Sequence, residues 1–326
     1  MMILLTGADG LLGSNLVRVL LDRGHKVRVF VYPSSKAKTL EGLNIEILKG
    51  DILDGPAVDK AVEGCEAVIH AAAMTNIWPA RSPFIRRVNI EGTQNIIDAV
   101  LKHNVKRLIY VGSGSSVNTK PVEGEKYAFP GAKFGLDYID SKYEALKLIL
   151  NAFETRKLPV VSVLPTFMIG PYDTLPSSGQ MILAVAQGKL KFYTGGGRNF
   201  IYVNDVATAI ANGLTMGQPG KYYIACNENL SYKDFISKTA AITNKGMPWF
   251  KVPGWIVKTI GFLGTTMGNI TGKQPLLTFP MARISCEKQF ICADEAVKEL
   301  NMPRTDIEVA IRECYDWFVK NDYLRK

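Results

Sequence analysis

The spacing with the most chemical promise is Tyr138-Ile139-Asp140-Ser141-Lys142, a phenol and an ammonium one helical turn apart. On a helix these two side chains lie on one face, one above the other. A free phenol titrates near ~10 and is a poor acid or base at neutral pH. A neighbouring ammonium favours the phenolate and moves that value toward the working range, so the pair reads as a proton donor and acceptor. The plainer meaning of a YxxxK is a surface ion or stacking pair. Upstream, the run Tyr110-Val111-Gly112-Ser113-Gly114-Ser115 ends in hydroxyls. Ser113, with Ser115 as fallback, would polarise a reacting oxygen if that run is a strand ending at the same cleft.

A second constellation opens the chain. An apolar run leads into Thr6-Gly7-Ala8-Asp9-Gly10-Leu11-Leu12-Gly13, where a helical pattern begins. Glycines here permit a tight turn, a close approach of backbone to a pyrophosphate and close packing of helix on strand. The helix start adds free N–H groups and a positive dipole end for phosphates. The spacing is GxxGxxG, and the competing reading is a plain strand–helix turn. The second apolar run ends Val31-Tyr32-Pro33-Ser34-Ser35-Lys36-Ala37-Lys38, with no carboxylate before Glu41. An NAD site usually has an acid there for the ribose hydroxyls. Hydroxyls and lysines instead suit a 2′-phosphate, so the loop favours NADP over NAD; the alternative is a pair of solvated loop lysines. Asp51, in Gly50-Asp51-Ile52, is a candidate for an adenine amino group or for a helix cap.

The elements that must hold these groups follow from periodicity. Nearly continuous apolar runs at Ile3–Thr6, Lys26–Val31, Ile45–Lys49, Ala67–His70, Leu108–Val111 and Val160–Leu164 predict strands buried on both faces of a parallel sheet. Helical patterns alternate with them at Leu12–Asp22, Pro56–Val62, Phe84–His103 and Leu136–Thr155. The alternation predicts an α/β fold, a doubly wound parallel Rossmann sheet. Past Pro165 the rhythm breaks, with strand-like runs at Phe200–Val203 and Lys221–Ala225 and mostly helices after Ser231. Residues 1–165 therefore read as the nucleotide domain, with 200–226 rejoining it. Residues 166–199 and 227–326 read as a smaller, mostly helical substrate subdomain over the sheet's carboxyl edge.

Taken in order, the glycine loop, Gly50-Asp51, His70-Ala71-Ala72-Ala73, Val88-Asn89-Ile90-Glu91-Gly92-Thr93, the Ser113/Tyr138/Lys142 set and Phe200-Ile201-Tyr202-Val203-Asn204-Asp205-Val206 resemble the extended short-chain dehydrogenase/reductase family along nearly the whole chain. The resemblance implies a Ser–Tyr–Lys mechanism: Tyr138 exchanges the proton, Lys142 binds the nicotinamide ribose and tunes Tyr138, and Ser113 holds the substrate oxygen. It implies a dinucleotide site of Gly7, Asp9, Gly10, Leu11, Leu12, Tyr32, Ser34, Lys36, Asp51 and Ile52. That site continues through Ala71, Ala72, Ala73, Tyr138, Lys142, Pro165, Phe167 and Met168. Ser113, Ser115 and Phe167 would face the substrate. Where nucleotide-sugar enzymes typically read Arg-Pro-x-Asn-x-Tyr-Gly-Pro, this chain has Leu164-Pro165-Thr166-Phe167-Met168-Ile169-Gly170-Pro171. That apolar lining is similar to the dihydroflavonol-4-reductase-like and 3β-hydroxysteroid dehydrogenase-like branches and suits an apolar substrate. The chain departs from those branches at Tyr32, where a basic residue usually precedes the proline. It departs again at Val111-Gly112-Ser113, where Thr-Ser-Ser is usual.

Composition bounds the rest. Of 326 residues, 47% are hydrophobic and 21% charged, which suits a globular enzyme and argues against disorder. The charge of +9 favours anionic partners. No basic–aromatic stripe supports nucleic acid. Five cysteines without a CxxC pair and three scattered histidines give no metal site and suggest reduced thiols in the cytoplasm. The stretch from Gly254 to Met267 is too short to span a bilayer and contains Lys258, so no stable membrane insertion is expected. Asn89 and His70 read as structural, Arg198 as either an anion ligand or an exposed turn residue. Trp249, Phe250, Trp255, Phe262 and Leu263 read by default as core packing; the alternatives are a pocket lining, a lid or a weak membrane contact. The expectation is an NAD(P)H-dependent reductase or dehydrogenase of a ketone or secondary alcohol on a mostly apolar small molecule, a cyclic one being compatible; the Phe84–His103 and Leu136–Thr155 helices offer a face for a family-like homodimer. The alternatives are a nucleotide-sugar epimerase or dehydratase that retains NAD, and a non-catalytic dinucleotide-binding regulator.

Overall fold

The computed structural model describes residues 1–117, 129, 131–248 and 250–324. Trp249 thus lies outside the described residues. The strands in chain order are β1 (Met2–Thr6), β2 (Lys26–Val31), β3 (Glu46–Lys49), β4 (Ala67–His70), β5 (Arg107–Val111), β6 (Val160–Pro165), β7 (Phe167–Ile169), β8 (Phe192–Tyr193), β9 (Gly197–Tyr202), β10 (Tyr222–Ala225), β11 (Glu228–Ser231), β12 (Phe250–Lys251) and β13 (Lys288–Gln289). The first six helices are α1 (Leu11–Asp22), α2 (Gly55–Val62), α3 (Pro83–Lys102), α4 (Asp137–Arg156), α5 (Gln180–Ala186) and α6 (Val203–Gly213). The C-terminal five are α7 (Tyr232–Thr243), α8 (Gly254–Thr271), α9 (Phe279–Cys286), α10 (Glu295–Leu300) and α11 (Ile307–Lys320).

Seven strands form one parallel sheet in the order β3-β2-β1-β4-β5-β6-β10. Its central strands are buried throughout, as their continuous Val/Ile/Leu runs require: β4 and β6 expose no side chain appreciably. Two apolar clusters cover the two faces. One joins α1 and α6 to the sheet through Leu16, Val17, Val206 and Ile210. The other joins α2, α3 and α4 through Val58, Ile96, Ile97, Ala145 and Ile149. The expected Rossmann architecture is what the chain forms.

Strand order reverses between β1 and β4, which opens a crevice at their carboxyl ends. The run at 200–203 enters a second, four-stranded sheet, in which β9 pairs with β7, β11 and β13. Chain direction then returns to the main sheet through α6 and β10. Thr166, between β6 and β7, ties the two sheets together: its hydroxyl donates to Asn199 Oδ1 of β9 at 2.8 Å and lies 3.2 Å from the Ala225 carbonyl of β10.

Candidate active site

The turn after β1 is built for close approach. Gly7 has φ +72°, and a Cβ there would sit 2.7 Å from the backbone nitrogen of Ala72. A Cβ on Gly13 would lie 2.1 Å from the Gly7 carbonyl oxygen. The ends of β1 and β4 are locked together. Thr6 Oγ1 accepts from Ala72 N at 3.1 Å and pairs with His70 Nδ1 at 2.9 Å. His70 Nε2 meets Thr93 Oγ1 at 3.1 Å, so the buried imidazole is satisfied, and burial then lowers its pKa to about 3. This is the structural role the sequence suggested for it.

Helix α1 begins at this turn with no side-chain cap and no acid in its first turn. Its first N–H groups are therefore free to meet an anion, and the glycine cradle leaves backbone at its edge. These residues fit a dinucleotide pyrophosphate. Tyr32, Ser34 and Lys36 are exposed beyond β2. Ser35, between them, donates to the carboxylate of Asp9, which brings an acid into the loop that looked free of acids in sequence. Asp51 accepts from Leu53 N at 2.9 Å, while the cap of α2 is supplied by Asp54. Ile52 is packed into the core.

The second group gathers at the ends of β5 and β6. Ser113 caps the short 3-10 turn Gly114–Ser116, and its Oγ lies 2.7 Å from Ser115 Oγ, so both candidate hydroxyls share one corner. Helix α4 is anchored at its start by Arg81 to Asp137 and Asp140 and by Ser82 N to Asp137. Asn89 holds its middle: it donates to Ser141 Oγ at 2.9 Å and clasps both backbone groups of Met74. Tyr138 and Lys142 flank Ser141 on the face turned to the sheet.

Electrostatics at this face differ from the simple pairing the spacing implied. Burial pushes the Tyr138 phenol above its usual 10, while a hydrogen bond with Ser113 and the charge of Arg198 pull it back. Lys142 is buried, donates from Nζ to the Val111 carbonyl at 2.7 Å, and is brought down to about 7 by that burial. The cation acting on the phenol is thus Arg198, a residue whose sequence context read equally as a turn. Arg198 lies in β9, its guanidinium 4.6 Å from the centroid of the Phe167 ring. Its Nε is buried and has no hydrogen-bond partner among the described residues. The pairing of β7 with β9, in which Phe167 stands opposite Phe200, brings this arginine to the corner that holds Ser113 and Tyr138. Pro165 ends β6, and Phe167 and Met168, both half-buried, begin β7.

Residues 3–225 match the NAD dependent epimerase/dehydratase family. The chain belongs to that family. The resemblance to extended short-chain dehydrogenase/reductases read from the motifs therefore holds, as does the reading as an NAD(P)-dependent enzyme. A protein of Synechocystis sp., provisionally named dihydroflavonol 4-reductase, is 30% identical over 98% of this chain and 95% of its own. A 2-alkyl-3-oxoalkanoate reductase of Stenotrophomonas maltophilia is 27% identical over 96% of this chain and 98% of its own. A 3beta-hydroxysteroid-dehydrogenase/decarboxylase of Arabidopsis thaliana is 31% identical over 85% of this chain, which spans about half (53%) of that protein.

Proposed function

We propose that the protein is an NAD(P)H-dependent reductase or dehydrogenase acting on a ketone or secondary alcohol of a mostly apolar molecule that also carries an anionic group. One observation carries the reading: Ser113, Tyr138, Lys142 and Arg198, whose buried Nε has no hydrogen-bond partner among the described residues, converge beside Phe167. The relatives named for 3-oxoalkanoate reduction and for hydroxysteroid dehydrogenation support it. A carboxylate placed next to the reacting carbon would satisfy the buried Arg198 Nε.

A dinucleotide held by the Gly7–Gly13 turn and the start of α1 would supply or accept the hydride. Ser113 and Ser115 hold the substrate oxygen in place. Tyr138, kept protonated by burial, gives that oxygen its proton in reduction and takes it back in oxidation. Lys142, with its amine near neutrality, holds the ribose and restores the proton of Tyr138. Arg198 fixes the anionic end and stabilises negative charge on the phenol. Phe167 walls the apolar body away from water.

For the 2′ position the exposed Ser34, Lys36 and Lys38 support NADP. The Asp9 carboxylate beside Ser35 favours a second reading, NAD. The test is consumption of NADPH and NADH with a 3-oxo acid, its methyl ester and a neutral cyclic ketone. Preference for the acid that disappears in Arg198→Gln supports the proposal. Turnover of none of the three, with UDP-glucose epimerised instead, would overturn it.

A further inference from the structure

Helix α8 is built inside out for a surface helix. Beyond Val257 its buried positions are glycines: a Cβ on Gly261 would lie 2.5 Å from the Ala282 Cβ, and one on Gly268 would lie 2.7 Å from the Trp78 ring. Its large apolar residues face solvent. Trp255, Phe262, Leu263, Met267 and Ile270 are between 59 and 79% exposed. The hydroxyls between them are satisfied within the helix: Thr259 donates to the Trp255 carbonyl, Thr266 to Phe262 and Thr271 to Met267. The outer face thus presents rings, alkyl chains and methyl groups, with Lys258 and Asn269 as its exposed polar side chains besides the threonines. Exposed Phe192 and Phe250, opposite each other in the β8–β12 pair, extend the patch.

The chain that builds most of this face carries charge of one sign. From Phe235 to Cys286 the chain has six basic side chains and no Asp or Glu. Among them Lys245, Lys251, Lys258 and Lys273 are exposed, and no carboxylate pairs with them among the described residues. Lys191 and Lys245 line one cleft, next to the strand that carries Phe192.

We propose that α8 and the β8–β12 pair form a docking face for an anionic phospholipid bilayer, with the helix lying in the interface. An exposed apolar face of this size marks an interaction site. An apolar helix face rimmed by lysines matches the interface between acyl chains and anionic headgroups. No described helix is long and apolar enough to cross a membrane, so the contact is peripheral. A second copy on the same face would bring lysines against lysines with no acid to pair them. The placement also serves an apolar substrate. α8 rests on Trp78 and on α9, and Ile284 of α9 packs in the same cluster as Leu136 and Tyr138.

The proposal does not rest on the reaction, and its test does not read activity. The full chain is sedimented with vesicles of phosphatidylcholine alone and of phosphatidylcholine with phosphatidylglycerol. Binding is expected only with phosphatidylglycerol and is expected to weaken with salt. Each lysine near an anionic surface contributes about fivefold, so Lys251→Gln, Lys258→Gln and Lys273→Gln together should weaken it about a hundredfold. Phe262→Ser with Leu263→Ser and Met267→Ser, all at exposed positions, should abolish it while the thermal midpoint stays within a few degrees. Wild-type protein left in the supernatant with both vesicles would overturn the proposal. So would a dimer in solution that the serine variant converts to monomer without any vesicle binding.

Discussion

Lys142 makes the active site expensive to fold, and that cost has a pH signature. The side chain is 5% exposed and its amine is brought from 10.5 to about 7 by burial. Above pH 10.5 the folded and unfolded chains both hold it neutral and burial carries no electrostatic penalty. As pH falls, the unfolded chain takes up a proton that the folded chain refuses, so stability declines, and below about 7 the penalty is complete. At about 1.4 kcal/mol per pH unit the whole effect is about 5 kcal/mol, of which about 3 kcal/mol falls between about pH 7.5 and about pH 10. Lys142→Met keeps the stem and removes the titration. It also orphans the Val111 carbonyl, which lowers stability by about 1 kcal/mol at every pH without tilting the curve. The assay is urea unfolding of both proteins without ligand across that range, read as the difference between them, so that other titrating groups cancel. The wild type should gain about 3 kcal/mol on the variant as pH rises. Parallel curves would refute the buried, neutral amine and the proton-relay role built on it.

Tyr138→Phe should lower kcat by about 10²–10⁴-fold and leave dinucleotide affinity within a factor of about two, measured by stopped-flow and calorimetry. Lys36→Glu with Ser34→Asp should move the NADPH/NADH ratio of kcat/KM toward NADH, and Asp9→Asn should move it the other way; an unmoved ratio in both removes the loop from cofactor choice. Gly7→Ala places a side chain at φ +72° against the Ala72 backbone and should cost about 2–4 kcal/mol in urea unfolding. His70 is neutral in the folded protein down to about 3, so its contribution is complete above 6.5 and is lost as pH falls from 6.5 toward 3. His70→Gln should flatten the acid limb of the stability curve by up to about 1.4 kcal/mol per pH unit in that window.

The sequence by itself determined the sheet, the glycine turn and the Tyr138–Lys142 pair. All three follow from local rules: apolar periodicity, the backbone freedom of Gly7, and the rise of one helical turn. What it left undecided depends on partners far apart in the chain. Asp9 meets Ser35 because β1 and β2 are neighbours, so a loop that reads as free of acids contains one. Arg198 reaches the Tyr138 phenol because β9 pairs with β7 instead of joining the main sheet, a choice no local pattern announces. Lys142 reads as a charged partner for Tyr138, but only packing shows how little solvent it keeps, and desolvation is what moves its proton affinity. The outward face of α8 is only half legible in one dimension: its aromatic cluster allows core, pocket, lid or membrane contact, and the fold decides by turning the glycines inward and the rings out. Local propensity acts over a few residues, while burial and charge depend on everything within a few ångströms, and only the fold sets those distances.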